Sequence, residues 1–225
     1  MKKFISVAIV IAIVSFSFPA DALMYQFSGT DNGGIGSGTM DVSISGNTLT
    51  IIINNTSPYR NIDNTPWNAP ALDGIGFNLG GLTNADLSSW TLWAYSNKEN
   101  TTSVLIGGTE SVIGAWGFGN LPSVALNVEL TNGSGIQSAL YNPAVVGGTG
   151  PGPYYTTAKL TMNFNQDIPE FTSPFMRMQN VGKDGEGSLK LYGTTDDGVP
   201  VPEPGTMLLL GLGLIGIALV MREML

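Results

Sequence analysis

The sequence contains no cysteine and no histidine. Without Cys there is no disulfide, no thiolate nucleophile and no Cys-ligated zinc or iron–sulfur cluster. Without His there is no Ser-His-Asp or Cys-His catalysis, no imidazole metal site and no side chain that switches charge near neutral pH. Positive charge is scarce, with 9 Lys and Arg against 17 Asp and Glu and a formal net of −8. That excludes nucleic acid as a partner, because gripping phosphates needs a basic footprint. Helical periodicity is also missing from the long middle of the chain, and no internal repeat recurs at a fixed period. A chain with these gaps takes its stability from packing alone.

What is present is turn chemistry and apolar residues: 30 Gly and 13 Pro in 225 residues, with a hydrophobic fraction of 43%. This length suits one domain plus additional segments, and the composition points to a turn-rich fold rather than disorder.

The two ends read as addresses. At the N-terminus, Lys2 and Lys3 precede a mostly apolar run from Phe4 to Phe18, which Pro19 breaks. Ala20 and Ala22 then supply small residues at the two positions that a signal peptidase reads. Residues 1–22 therefore have the three-part pattern of a secretory signal peptide for Sec export, with cleavage after Ala22.

At the C-terminus, Met207 to Met221 is a second apolar run. As a helix it spans about 22 Å, short of the roughly 30 Å of a hydrocarbon core, so it would cross with local thinning. Arg222 follows it and, by the positive-inside rule, marks the cytoplasmic end. Gly211, Gly213 and Gly216 inside this run match G-x-G-x-x-G by chance. A dinucleotide site needs a preceding strand and an acid about 20 residues further on, and the sequence ends before one. No cofactor is expected. Upstream, residues 196–201 form a polar linker. Pro202 and Pro204 then hold the backbone extended around Glu203 just outside the bilayer.

Pro202-Glu203-Pro204-Gly205-Thr206, the short apolar run and Arg222 together resemble the PEP-CTERM sorting signal of Gram-negative bacteria. The resemblance covers about the last 25 residues. It implies recognition by an exosortase, a transient inner-membrane intermediate, and delivery to the cell surface or extracellular matrix. Association with exopolysaccharide and biofilm is implied as well. A lone Arg222 before Glu223 departs from the several basic residues common in the family. Leu49–Thr56, Gly74–Leu79 and Met176–Ser188 also resemble segments of other exosortase-dependent proteins, more loosely.

Residues 23–195 form the body, and its signals are strands. Met40, Val42 and Ile44 alternate with polar residues. Gly46-Asn47 then makes a two-residue turn into Thr48–Asn54. Val124–Leu130 and Ala158–Phe164 alternate in the same way. Met24–Ser28, Gly74–Leu79, Trp90–Ser96, Val112–Phe118, Phe175–Val181 and Ser188–Tyr192 are further strands. Ser134–Tyr141 has room for a helical turn or two, and Asn55–Pro70 and Asn142–Pro153 are long loops. The expected architecture is a single all-β domain, an antiparallel β-sandwich of jelly-roll type. A signal-peptide helix and a short transmembrane helix would flank it.

The acids are dispersed. Asp184, Glu186, Asp196 and Asp197 fit no EF-hand or RTX spacing for calcium and read as turn residues. Glu110 and Glu129 could form a glycosidase pair only if the fold brought them across a cleft. No catalytic residue and no metal site is assigned, and the body is expected not to be an enzyme. Four Trp remain, at positions 67, 90, 93 and 116. Trp90 lies in a strand-like run suited to core packing. Trp67 lies in a Pro-rich loop, where it either covers a core edge or meets a glycan. Two readings follow for the body: a non-enzymatic envelope or matrix module, and a carbohydrate-binding surface module with Trp67 as a contact.

Overall fold

The computed structural model describes residues 22–62, 65–96, 101–109, 115–119, 121, 125–133, 139–142 and 155–195. For Ala22 and within residues 60–67 it describes only the backbone path. The expected signal-peptide and transmembrane helices, Ala20, Pro202, Glu203, Pro204 and Arg222 all lie outside the described residues. Among the described residues, no helix is long and apolar enough to cross a membrane.

Residues Ala22–Asp197 form one unit, and its architecture is nearly all β. Strands β1 (Ala22–Asp31), β2 (Gly34–Ser45) and β3 (Thr48–Asn55) make a meander. The β2–β3 turn is the expected one: Ser45 faces Thr48, and Gly46 supplies the positive φ of 57° that a two-residue hairpin turn requires. In β3, Leu49, Ile51 and Ile53 are buried while the residues between them are half-buried, so the period of two in the sequence becomes an inner and an outer face.

A small separate hairpin, β4 (Arg60–Ile62) and β5 (Thr65–Asn68), occupies the segment read as a loop. Then come β6 (Ala71–Asn78), β7 (Leu87–Tyr95), β8 (Ser103–Gly108) and β9 (Trp116–Phe118). After them come β10 (Val128–Asn132), β11 (Thr157–Phe164), β12 (Thr172–Val181), β13 (Gly187–Tyr192) and β14 (Thr194–Thr195).

The sandwich expectation is corrected. Twelve strands form one continuous sheet in the order β13-β12-β6-β10-β9-β8-β7-β11-β3-β2-β1-β14. Its two outermost strands, β13 and β14, are consecutive in the chain and separated by Gly193 alone. One stretch of backbone therefore leaves the β12 edge and joins the β1 edge, rolling the sheet nearly closed like a barrel. Alternation could not reveal this, because one buried face per strand is common to sandwiches and rolled sheets; partner choice decides between them. Gly193 is required at the crossing, since a Cβ there would lie 2.7 Å from the Phe27 ring.

Bulges curl the sheet near this seam. Ser173 and Asn180 are extra residues in β12, with φ of 53° and 56°. Asp73 is the extra residue in β6 opposite β12. The seam is further clasped by the β1–β2 and β12–β13 turns. Lys183 N–H donates to the Asn32 carbonyl, and Asn32 Nδ2 donates to the Lys183 carbonyl at 2.7 Å. Ser188 N–H donates to Asp31 Oδ2 at 2.8 Å.

Two smaller expectations also change. Leu140 bridges Leu72 and Tyr155 in extended form, so the described end of Ser134–Tyr141 is not helical. β8 and β9 pair in parallel at Gly107 and Trp116, the single non-antiparallel ladder among the named strands.

The rolled sheet encloses one main core. Met40, Leu49, Ile51, Leu92, Leu160 and Met162 come from one half, and Ile75, Phe77, Val128, Leu130 and Met176 from the other. The halves meet closely: a Cβ on Gly38 of β2 would lie 2.7 Å from Met176 Sδ, and one on Gly36 would lie 2.9 Å from Met178 Sδ.

Candidate functional site

The outward faces of the two halves differ in kind. On β6 every residue but the last is buried, including those pointing away from the core. Leu121 and Leu126 lie over Gly74 and Gly76 and close off that outer side. Glu129 holds this cover: its carboxylate accepts from the Leu126 N–H at 2.9 Å and from the Leu121 N–H. Both of its oxygens are thus committed to backbone, which gives Glu129 a structural task. Glu110, its suggested glycosidase partner, lies outside the described residues.

Beside this cover lies Asp73, with its side chain 4% exposed. Its Oδ2 is 3.5 Å from Arg177 Nη1 and accepts a hydrogen bond from Gln179 Nε2. Its Oδ1 is buried without a hydrogen-bond partner among the described residues. Burial pushes the carboxyl up to about 6, and the Arg177 charge and the Gln179 hydrogen bond only partly offset this. Asp73 is thus the ion-pair partner of Arg177. The sequence hid the pair, because register on either side of a bulge sets it.

The outer face of β7, β11, β3, β2 and β1 is built differently. Trp93, Lys159, Ile52, Asp41 and Met24 are successive cross-strand neighbours in one row. The next row runs through Thr91, Thr161, Thr50 and Ser43. Side chains bond across strands here. Thr157 Oγ1 donates to Asn54 Oδ1 at 2.9 Å, and Asn54 Nδ2 donates to Thr39 Oγ1 at 3.2 Å. Further along, Thr48 Oγ1 donates to Asn163 Oδ1 and Asn163 Nδ2 donates to Ser89 Oγ, each at 3.0 Å. This face is wet, ordered and mostly uncharged.

The tryptophans separate accordingly. Trp116 is buried, and Trp90 is half-buried with its ring centroid 4.9 Å from that of Phe118. Trp93 stands out of the wet face, 44% exposed. Strand alternation could have found it, since Leu92 and Ala94 on either side face inward. The Trp67 side chain lies outside what is described. Asp184 and Glu186 lie in the β12–β13 turn as turn residues, and among the described residues no cluster of acids is arranged to hold a metal ion.

At the end of the wet face the sheet forms a shallow groove of about 320 Å³, lined by β1, β2, Thr56, the end of β13 and β14. Tyr192 stands at its rim, 60% exposed, with its ring set edgewise against buried Phe175 at 5.2 Å.

Both ends of the body lie on this same edge, where Tyr25 of β1 faces Thr195 of β14. A few residues beyond Thr195, residues 200–222 match the PEP-CTERM protein-sorting motif. The match brackets Pro202, Glu203, Pro204 and Arg222. The chain is thus a PEP-CTERM sorting-signal protein: an exosortase-targeted surface protein, exported through a membrane-associated step. The match covers the tail alone. No curated protein and no solved structure matches the chain.

Proposed function

We propose that the chain is an exported, exosortase-processed protein of the cell envelope or extracellular matrix, that its body has no catalytic activity of its own, and that it associates with exopolysaccharide in biofilm. The observation supporting this is a sorting motif at residues 200–222 that begins just after the last strand of a self-closed β body. In this reading the signal peptide is removed after Ala22. Met207–Met221 then stops in the inner membrane with Arg222 inside. Pro202-Glu203-Pro204 is presented extended to the exosortase, and cleavage near it releases a body running from Leu23 to about Pro202. Between Leu23 and Val201 there are 6 Lys and Arg against 14 Asp and Glu, so the released body stays acidic and soluble in a hydrated matrix.

Intact-mass analysis of the surface fraction tests this. The expected species lacks Met207–Leu225, and replacing Pro202, Glu203 and Pro204 together by Ala should leave the tail attached. A surface species that retains the tail, or normal processing of the triple variant, would refute the reading.

A second reading, a carbohydrate-binding surface module, is favoured by the exposed Trp93 and Tyr192 on an ordered, hydroxyl-rich face. Amphipathic rings beside hydroxyl and amide side chains suit a ligand that is apolar on its ring face and polar around its rim.

A further inference from the structure

We infer that the groove at the seam of the sheet binds a stretch of a neutral polysaccharide, with Tyr192 as the stacking platform. The inference rests on the carbohydrate-binding reading and gives it a site and a ligand class.

The ring comes first. Tyr192 is 60% exposed, yet its ring is fixed by edgewise contact with Phe175, which is itself fully buried. An exposed aromatic ring usually loses side-chain freedom when it captures a ligand; this one is held beforehand, so less is lost. The face of such a ring carries the negative lobe of its quadrupole, which attracts the C–H-bearing face of a sugar ring.

The lining comes second. Apart from Tyr192, Gly38 and Phe27, the lining residues are Ser, Thr and Gln26, with no charged side chain. These groups both donate and accept, as sugar hydroxyls do. Two are set by their neighbours. Thr39 Oγ1 accepts from Asn54 Nδ2, which leaves its own proton to donate. Thr56 Oγ1 donates to Ser37 Oγ at 3.1 Å, which leaves its lone pairs to accept. A uronic acid or sulfated sugar would find no cation here, and the acidic body would repel it. A neutral sugar meets neither obstacle.

Shape comes third. The groove is open and shallow, at the small end of the roughly 300–1,000 Å³ of small-molecule sites. That fits a few units of a long chain whose remainder stays in water, rather than an engulfed small molecule. It lies where the backbone changes edges at Gly193, with Tyr192 and Thr194 on either side of that crossing.

Affinity gel electrophoresis of the full-length protein in a sugar-free non-ionic detergent tests the proposal. The probes are dextran, galactomannan and laminarin as neutral chains and polygalacturonate as an anionic one. Retardation is expected in at least one neutral gel and not in polygalacturonate. Tyr192→Ala should weaken it about tenfold, and Tyr192→Phe should keep it, since stacking needs only the ring. Thr39→Val, which keeps shape and removes the hydroxyl, should weaken it too, independently of any change at the seam. Neutral-gel retardation that survives both Tyr192→Ala and Thr39→Val but disappears in Trp93→Ala would overturn the groove and leave the carbohydrate reading standing. Retardation in polygalacturonate alone would overturn the neutral class. No retardation in any gel would overturn both.

Discussion

One sheet carries two outer faces that handle polar groups in opposite ways. On β7, β11, β3, β2 and β1 many outer side chains are Thr, Ser and Asn, several of them bonded to one another across strands while still reaching water. On β6 the outer side is covered by Leu121 and Leu126, and the acid near that cover, Asp73, sits raised in pKa with one oxygen that has no partner among the described residues. The first arrangement risks little, because water can replace any lost bond. The second holds the half together and carries a desolvation cost. Substitutions should therefore be tolerated on the wet half and destabilise the covered half.

Substitutions can break or sharpen this contrast. The largest effect expected at every pH is that of Gly76→Val. A Cβ there would lie 2.7 Å from Leu126 Cδ1 and 3.2 Å from the Val128 carbonyl oxygen, so the cover must lift or the strand must shift. A loss of about 2–3 kcal/mol in urea unfolding is expected. Unchanged stability would mean that the cover contributes nothing to this half.

Next is Asp73→Asn, read through pH. The folded carboxyl, at about 6, lies above its ordinary value of 3.8. Between these values the folded state holds a proton that the unfolded state has lost. Stability therefore falls as pH rises from about 4 to about 6 and levels off above, by up to about 3 kcal/mol. In the Asn variant that share of the slope should vanish. Melting curves at pH 4, 5, 6 and 7 check this; parallel profiles for the two proteins would place Asp73 in water.

The smallest effect is expected on the wet half. Thr161→Val on β11, flanked by Thr50 and Thr91, should change stability by no more than about 0.5 kcal/mol. A large loss there would erase the distinction between the faces.

Local elements were legible in the sequence. Gly46-Asn47 announced the β2–β3 turn, and Ala158–Phe164 announced β11 almost to the residue. β8 was not legible, because Ser103-Val-Leu-Ile-Gly-Gly does not alternate, and its bulge at Ile106 breaks the period further. β10 begins at Val128 rather than Val124, since Ala125–Asn127 do not join the strand that Glu129 helps to anchor. The tail was the most legible part, since a linear sorting motif is read as sequence. The rolled closure was hidden, because it depends on bonds such as Ser188 to Asp31, 157 residues apart in the chain. The Asp73–Arg177 pair and the Tyr192 groove share that cause: bulges and the seam create both. Trp67 drew attention as a loop aromatic, while the ring that stands out of a described face is Trp93, placed there by strand alternation between two inward neighbours.

The meeting of β1 with β14 also sets a folding order. β1 is the first strand of the body and β14 the last, a few residues ahead of the sorting motif. The β1–β2–β3 meander pairs neighbours in sequence, whereas the β1–β14 pairing joins strands from opposite ends of the body. Loop closure over nearly the whole body makes this the slowest pairing expected. Thr194 and Thr195 thus act as a latch: a body shortened before them would keep its meander and lose the β1–β14 lock.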